Sequence, residues 1–142
     1  MSKIKIVVAD DHDTIRRLLV RFLSREFEVL DAVEHGLELM GAAIALNPDV
    51  IVSDVCMPRL TGPEAMDELK MRGLHIPFVF ISSGANVVES RASFVPKENI
   101  LRDLAPAIHR AASEKIEGTP SSIMDHDAAC EPFGRTGAIR TQ

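Results

Sequence analysis

The chain has 142 residues, of which 46% are hydrophobic and 26% charged, and its formal net charge is −5. This length suits one globular domain with a sizeable core. The negative charge and the absence of Trp and Tyr exclude the basic, aromatic-rich surface typical of nucleic-acid binding, so we expect no nucleic-acid partner. No apolar run approaches the roughly 20 residues of a membrane helix, and the chain turns polar at Asp10, before a secretory segment could form. The sequence therefore predicts a cytoplasmic protein without membrane contact.

Strand-like and helix-like segments alternate along the chain. The first strand is predicted over residues 3–9, and helical spacing of apolar residues predicts the first helix over 14–23. The later elements are strand 27–33, helix 36–46, strand 49–54, helix 63–72, strand 77–82, strand 93–96 and helix 100–115. Only 14 residues separate Ser82 from Lys97, and they must include a loop, a helix, a turn and a strand. The fourth of five helices is therefore predicted to be short or irregular.

This alternation predicts an α/β fold. Its form is a three-layer (βα)5 arrangement, in which a doubly wound parallel sheet of five strands lies between two layers of helices. Residues 1–117 are predicted to form this domain. From 118 to 142 the sequence has scattered Gly, Pro and charges without sustained periodicity. A flexible tail with no output domain is expected there.

Polar residues follow four of the predicted strands. Asp10 and Asp11 come after the first strand, Asp54 ends the third, Ser82 ends the fourth and Lys97 follows the fifth. The carboxyl ends of parallel strands form one edge of the sheet, where ligands bind. Crowded carboxylates are usually neutralised by a hard divalent cation, for which Mg²⁺ is the natural choice. With a hydroxyl and an ammonium added, the set fits a phosphoryl group, and Asp54 is the candidate nucleophile that would form an acyl phosphate.

Each of these residues also has a structural interpretation. Asp10 and Asp11 could cap the following helix, because Asp is a favoured N-cap and suits the positive end of the helix dipole. Lys97 could be an ordinary solvated lysine. Ser82 is preferred to Ser83 as the site residue because side chains alternate between the two faces of a strand.

Cysteines and histidines indicate no second site. Cys56 and Cys130 lie far apart and suggest neither a disulfide framework nor a cysteine-based metal site, so reduced thiols are expected. The histidines lack the paired spacing of metal ligands, and surface or packing roles are predicted for them. They are His12, His35, His75, His109 and His126.

The combination of polar strand ends resembles the receiver domain of two-component response regulators. The resemblance covers about residues 3–115 and rests on the acidic pair Asp10-Asp11, the motif SDVCMP around Asp54, the hydroxyl of Ser82 and Lys97. It implies a flavodoxin-like topology. It also implies that the acidic pair binds Mg²⁺ together with Asp54, that Asp54 accepts the phosphoryl group, that Ser82 contacts this group and that Lys97 pairs with it.

The resemblance extends to the switch, the partners and the activity. It implies that the backbone carbonyl of Cys56 is a further Mg²⁺ ligand, and that Ser82 and Phe94 form the switch that responds to phosphorylation. The expected phosphodonor is a phosphohistidine of a sensor histidine kinase or a histidine phosphotransfer protein. Such a chain is a phosphoacceptor that promotes its own phosphorylation and autodephosphorylation, not an enzyme in the usual sense. A stand-alone receiver then signals by protein–protein contact, as a relay, a phosphate sink or the ligand of a target.

Two other interpretations remain open. One is a degenerate receiver that serves as a phosphorylation-independent interaction module, which the short fourth helix would suit. The other is a haloacid-dehalogenase-like phosphatase, in which Asp11 and Asp13 would follow the first strand. That family needs a Thr or Val two residues after its second Asp, whereas Thr14 follows Asp13 directly. The phosphatase hypothesis also leaves Asp54 without a role.

Overall fold

The computed structural model of the protein describes residues 3–82 and 93–117. Its strands are β1 (Lys5–Ala9), β2 (Glu28–Val33), β3 (Val50–Asp54), β4 (Phe78–Ser82) and β5 (Ser93–Pro96). Its helices are α1 (Asp13–Leu23), α2 (Gly36–Leu46), α3 (Gly62–Met71) and α4 (Ile100–Glu117), and a single turn of 3₁₀ helix spans Lys97–Asn99. The elements predicted within the described residues are all present, with ends that differ by at most two residues.

The five strands form one parallel sheet in the order β2-β1-β3-β4-β5. This is the strand order of flavodoxin-like doubly wound folds, so the predicted fold class is confirmed. The chain moves outward from β1 to β2 and then returns to the other side of β1 to form β3. Ligands of such sheets bind outside the carboxyl ends of the strands where the order reverses, which here is the edge formed by β1 and β3.

Side chains of successive strand residues enter two separate apolar cores. The strands of a parallel sheet covered on both faces are buried on both sides, which explains their nearly continuous apolar runs. One core lies against α2 and α3, and the other against α1 and α4. The first includes Val7, Ile51, Phe80, Leu39 and Leu69, and the second includes Val8, Val52, Ile81, Leu19 and Leu104. The central strands are therefore packed on both faces, and the polar residues at their ends extend from this packed sheet.

Helix α3 starts immediately beside the end of β3. Its N-terminus is a capping box, in which Thr61 Oγ1 accepts a hydrogen bond from the Glu64 N–H at 3.2 Å and Glu64 Oε1 accepts one from the Thr61 N–H at 2.9 Å. The Gly62 N–H donates to the Val55 carbonyl at 3.0 Å. A Cβ on Gly62 would lie 2.5 Å from the carbonyl oxygen of Asp54. Only glycine therefore permits this close approach of the helix to the strand end.

Two of the sequence predictions fall outside the described residues. The short helix predicted between Ser82 and Lys97 falls mostly within residues 83–92, which the structure does not describe. The predicted tail, residues 118–142, also lies outside the described residues. Among the described helices, none combines the length and the apolar character that a membrane crossing requires.

Candidate functional site

Four strand ends meet at the carboxyl edge of the sheet, as the sequence predicts. Asp10 follows β1 directly, Asp54 is the last residue of β3, Ser82 is the last residue of β4, and Lys97 follows β5. The Lys97 ammonium nitrogen lies 3.4 Å from Asp10 Oδ2 and 3.4 Å from Asp54 Oδ2. Residues separated by 43 positions or more thus form one ionic cluster. The alternative interpretation of Lys97 as a solvated lysine is wrong, because its side chain is only 14% exposed.

Asp10 is fully buried, and its two carboxylate oxygens differ in their surroundings. Oδ1 accepts a hydrogen bond from the His12 backbone N–H at 2.8 Å. Oδ2 accepts no hydrogen bond from residues 3–82 and 93–117, although the Lys97 ammonium lies within ion-pair distance. The carbonyl of Asp10 accepts a hydrogen bond from the Arg16 guanidinium at 3.0 Å. A buried carboxylate oxygen without a hydrogen bond is costly, so a further electropositive partner would stabilise it.

Asp54 is 5% exposed, and its pKa is raised from 3.8 to about 6. Burial is the largest cause, because the charged carboxylate loses its hydration. The neighbouring Asp10 carboxylate raises the pKa further, the Lys97 ammonium lowers it and Asp11 adds a smaller upward contribution. At neutral pH Asp54 is therefore mostly ionised but is destabilised in its charged form. Any additional positive charge nearby would therefore stabilise the ionised form of Asp54.

A cation could be held at this edge of the sheet. Single ligand atoms of Asp10, Asp11, His12 and Asp54 all lie within 4.8 Å of one another. Carboxylate oxygens are the ligands that Mg²⁺ and other hard divalent cations prefer. Asp10, whose Oδ2 accepts no hydrogen bond from the residues that the structure describes, belongs to this set. The residues present therefore fit a hard divalent cation.

For Ser82 and Phe94, the structure gives the position in the sheet. Ser82 lies one residue beyond Ile81, the β4 residue that pairs with Asp54, and is half-buried. Phe94 pairs with Phe80 across β4 and β5, and their ring centroids are 5.3 Å apart. These positions agree with the roles expected of Ser82 and Phe94, which nevertheless remain predictions.

Cys56 is exposed in the loop that follows β3. The role of its backbone carbonyl as a cation ligand remains a prediction. The expectation of reduced thiols is wrong at this position, because Cys56 is disulfide-bonded.

The structure adds residues that sequence reasoning missed. His12, predicted to have a surface or packing role, has Nδ1 3.4 Å from an oxygen of Asp10 and 3.4 Å from one of Asp11. Ser53 is completely buried, and its hydroxyl donates to the Asp54 carbonyl at 2.8 Å. In the sequence, Ser53 could have been noticed as the hydroxyl residue within an otherwise apolar run that leads to Asp54. His12 could have been noticed because it directly follows the acidic pair Asp10-Asp11.

The phosphatase hypothesis finds no support at this edge of the sheet. Asp13, which would have to act there, is the first residue of α1 and its side chain is 60% exposed. It forms ion pairs with Arg16 and Arg17 on the same helix. Asp54, which that hypothesis leaves without a role, lies instead at the centre of the ionic cluster.

Comparison with known proteins gives a consistent result. The family model described as the response regulator receiver domain matches residues 6–97. Response regulator MprA of Mycolicibacterium vanbaalenii is 26% identical over 143 residues, which cover 93% of this chain and 62% of MprA. Chemotaxis protein CheY of Halobacterium salinarum is 35% identical over 74 residues, which cover 51% of this chain and 62% of CheY. The chain thus spans less than two thirds of either relative.

Solved structures agree with the fold. The crystal structure of a response regulator receiver domain protein from Clostridium thermocellum superposes with a TM-score of 0.72 at 25% identity, covering 82% of this chain and 99% of that chain. The signal receiver domain of the response regulator NarL from Mycobacterium tuberculosis superposes with a TM-score of 0.71 at 22% identity. The second match supports the fold alone.

Proposed function

Since this chain belongs to the family of response regulator receiver domains, we propose that Asp54 accepts a phosphoryl group from a phosphohistidine, in a reaction that requires Mg²⁺. The observation that carries the proposal is the ionic cluster itself, in which Asp54 lies beside Asp10 and within 3.4 Å of the Lys97 ammonium. The donor is a sensor histidine kinase or a histidine phosphotransfer protein. The phosphorylated chain then signals by contact with another protein.

The residues that would hold Mg²⁺ are Asp10, Asp11 and Asp54, with the backbone carbonyl of Cys56 as a further ligand. When bound, the cation neutralises the carboxylates and the negative oxygens of the phosphoryl group. The buried Asp10 oxygen that accepts no hydrogen bond supports this assignment. The raised pKa of Asp54 supports it too, since a carboxylate that is costly to ionise is stabilised by a cation.

The transfer step uses the other side chains of the cluster. An ionised oxygen of Asp54 forms a bond to phosphorus, while the bond between phosphorus and the imidazole nitrogen of the donor breaks and the nitrogen keeps its electron pair. The product is an acyl phosphate on Asp54 and a free histidine on the donor. Lys97 is positioned to neutralise a phosphoryl oxygen, and Ser82 at the end of β4 would donate a hydrogen bond to another.

The protein frame holds Asp54 in place for this step. The Ser53 hydroxyl donates a hydrogen bond to its carbonyl oxygen, and Gly62 at the start of α3 packs closely against the same oxygen. Phosphorylation would draw the hydroxyl of Ser82 toward Asp54. The neighbouring Phe94, half-buried beside Phe80, would then move, and this movement would be read at the surface near β5. The switch consists of Ser82 and Phe94.

One experiment tests the proposal. The protein is incubated with Mg²⁺ and a small acyl phosphate donor, and the intact mass is measured for the addition of one phosphoryl group. Wild type should be labelled, Asp54→Asn should not, and chelation of Mg²⁺ should abolish labelling. Asp31→Asn, which removes an exposed aspartate on β2, is the matched control and should be labelled like wild type.

The alternatives predict other results. Labelling that persists in Asp54→Asn would overturn the assignment of the acceptor. Absence of labelling by both the small donor and a phosphohistidine protein would favour the degenerate receiver, which acts as an interaction module without phosphorylation. Steady release of phosphate from a stable phosphomonoester, lost in Asp11→Asn, would favour a phosphatase.

A further inference from the structure

The side chain of His12 does not stabilise the start of the helix that it precedes. It is the N-cap residue of α1, yet its side chain makes no capping hydrogen bond. By contrast, His35, the N-cap of α2, accepts a hydrogen bond from the Glu38 N–H through its side chain. Asn, Asp, Ser and Thr are the residues that cap helices well. The presence of His at position 12 is therefore not explained by the start of α1.

The imidazole of His12 faces the carboxylates instead. Its Nδ1 lies 3.4 Å from Asp10 Oδ1 and 3.4 Å from Asp11 Oδ1. The His12 backbone N–H also donates to Asp10 Oδ1 at 2.8 Å, which holds the turn after β1 in the conformation that brings the ring close. The imidazole nitrogen is one of the four ligand atoms that lie within 4.8 Å of one another.

A second, independent observation points to a cation at the same place. Asp10 is completely buried, and within the described part of the chain its Oδ2 accepts no hydrogen bond. The nearby Lys97 ammonium is shared with Asp54 at the same distance of 3.4 Å. One ammonium therefore faces two buried carboxylates, with Asp11 close by. The negative charge of the cluster exceeds its positive charge, and the imidazole nitrogen lies at the more exposed side of this cluster, since the His12 side chain is 64% exposed.

An imidazole changes which cation such a site prefers. Mg²⁺ binds oxygen ligands and gains little from a nitrogen donor. Imidazole suits Co²⁺, Ni²⁺, Cu²⁺ and Zn²⁺, whose affinity for mixed nitrogen and oxygen ligands follows the Irving–Williams order. A set of three carboxylates and one imidazole is thus a mixed set that favours a transition metal more than the three carboxylates would alone.

We propose that His12 is a nitrogen ligand of the cation site formed with Asp10, Asp11 and Asp54, and that it shifts the preference of this site toward divalent transition metals. The inference builds on the cation site of the proposed function and adds a ligand and a selectivity to it. The site accordingly binds Co²⁺ much more tightly, relative to Mg²⁺, than it would with an oxygen donor at position 12.

The test compares the binding of Co²⁺ and Mg²⁺ by isothermal titration calorimetry for the wild-type chain and for His12→Asn. Asn is a favoured N-cap residue, so this variant keeps the start of α1. The expected loss of Co²⁺ affinity is at least about tenfold, the lower end of what even an outer-shell partner of a metal ligand costs. The affinity for Mg²⁺ should stay nearly unchanged. An equal ratio of Co²⁺ to Mg²⁺ affinity in both proteins would overturn the inference.

Two further measurements identify the ligand. In the Co²⁺ complex, an exchangeable imidazole N–H proton should be strongly shifted in the NMR spectrum, lost in His12→Asn and retained in His75→Asn. His75 is exposed in the loop before β4 and is the matched control for the loss of one histidine. A shifted resonance that persists in His12→Asn would assign the bound Co²⁺ to another histidine and refute the proposal.

Failure of the proposed function would look different. Labelling of the wild-type protein by the small acyl phosphate donor in Mg²⁺ tests the phosphoacceptor assignment separately from the metal titrations. If no form of the protein is labelled but Co²⁺ preference depends on His12, the ligand assignment stands and the phosphoacceptor assignment fails. If labelling is normal and the metal preference does not depend on His12, the ligand assignment fails alone.

Discussion

Replacing Asp54 by Asn should stabilise the metal-free protein at neutral pH. Asp54 is buried beside Asp10, and its pKa in the folded protein is raised from 3.8 to about 6. A carboxyl group whose folded pKa exceeds its unfolded pKa binds its proton more tightly in the folded state. The folded state therefore loses stability as pH rises from about 4 to about 6, and the full cost is present above that window. Asn has the same shape and carries no charge at any pH.

The size of the expected gain in stability follows from the shift in the pKa of Asp54. A difference of roughly 2 pKa units, at about 1.36 kcal/mol for each, corresponds to about 3 kcal/mol at pH 8. This value already includes the attraction between the Asp54 carboxylate and Lys97, because that attraction is one of the contributions to the pKa of Asp54. Roughly half of the cost develops between pH 5 and pH 8. The advantage of Asp54→Asn over wild type should therefore grow by about 1.5 kcal/mol across this range.

The assay is urea denaturation in the presence of a chelator at pH 5 and pH 8. The chain has no Trp or Tyr, so unfolding is followed by far-ultraviolet circular dichroism. Asp31→Asn, in which an exposed aspartate on β2 is replaced, controls for the loss of one negative charge. Addition of Mg²⁺ should stabilise wild type more than Asp54→Asn, because the variant lacks one of the carboxylates. The reasoning would be refuted by a difference between Asp54→Asn and wild type that does not increase with pH.

Three further substitutions probe the site and its frame. Lys97→Met leaves the buried carboxylates of Asp10 and Asp54 without their ammonium and should lower the free energy of unfolding by about 3 kcal/mol. Unfolding in urea measures this loss, and a Lys97→Met variant as stable as wild type would contradict the pairing. Gly62→Ala places a Cβ 2.5 Å from the Asp54 carbonyl oxygen and should lower the free energy of unfolding by about 1–3 kcal/mol. Phosphorylation, measured by intact mass, should also be slower. A variant as stable as wild type would disprove the close contact. Thr61→Ala removes the hydroxyl that accepts from Glu64 and should cost about 1 kcal/mol; Thr61→Ser, measured in parallel, should keep most of the stability.

The order of the elements was predictable from local features. Apolar runs alternate with segments of helical periodicity, and this alternation indicated the strands and helices in the right places. Asn47-Pro48 and Thr61-Gly62-Pro63 marked breaks between elements. The apolar runs arise because the strands of a covered sheet are buried on both faces. Right-handed crossovers then allow few topologies. The positions of Asp10, Asp54 and Lys97 at strand ends could be predicted for the same reason, since parallel strands direct their carboxyl ends to one edge.

The close contacts of the site were decided by tertiary structure. No sequence pattern indicates that one oxygen of Asp10 accepts no hydrogen bond, that Lys97 is shared between two carboxylates, or that the imidazole of His12 faces the acidic pair. These features depend on distances of a few ångströms between residues far apart in the chain. Packing of two cores against the sheet sets those distances.

The sequence by itself therefore determined the fold class and the edge of the sheet where Asp10, Asp54 and Lys97 meet. Tertiary structure alone decided how the charges of Asp10, Asp54 and Lys97 balance and that His12 lies among them. The physical reason is that strand and helix patterns arise from local burial and backbone geometry. The ionisation and the ligand sets depend on the positions of charges in a buried environment, where burial raises the pKa of Asp54 to about 6.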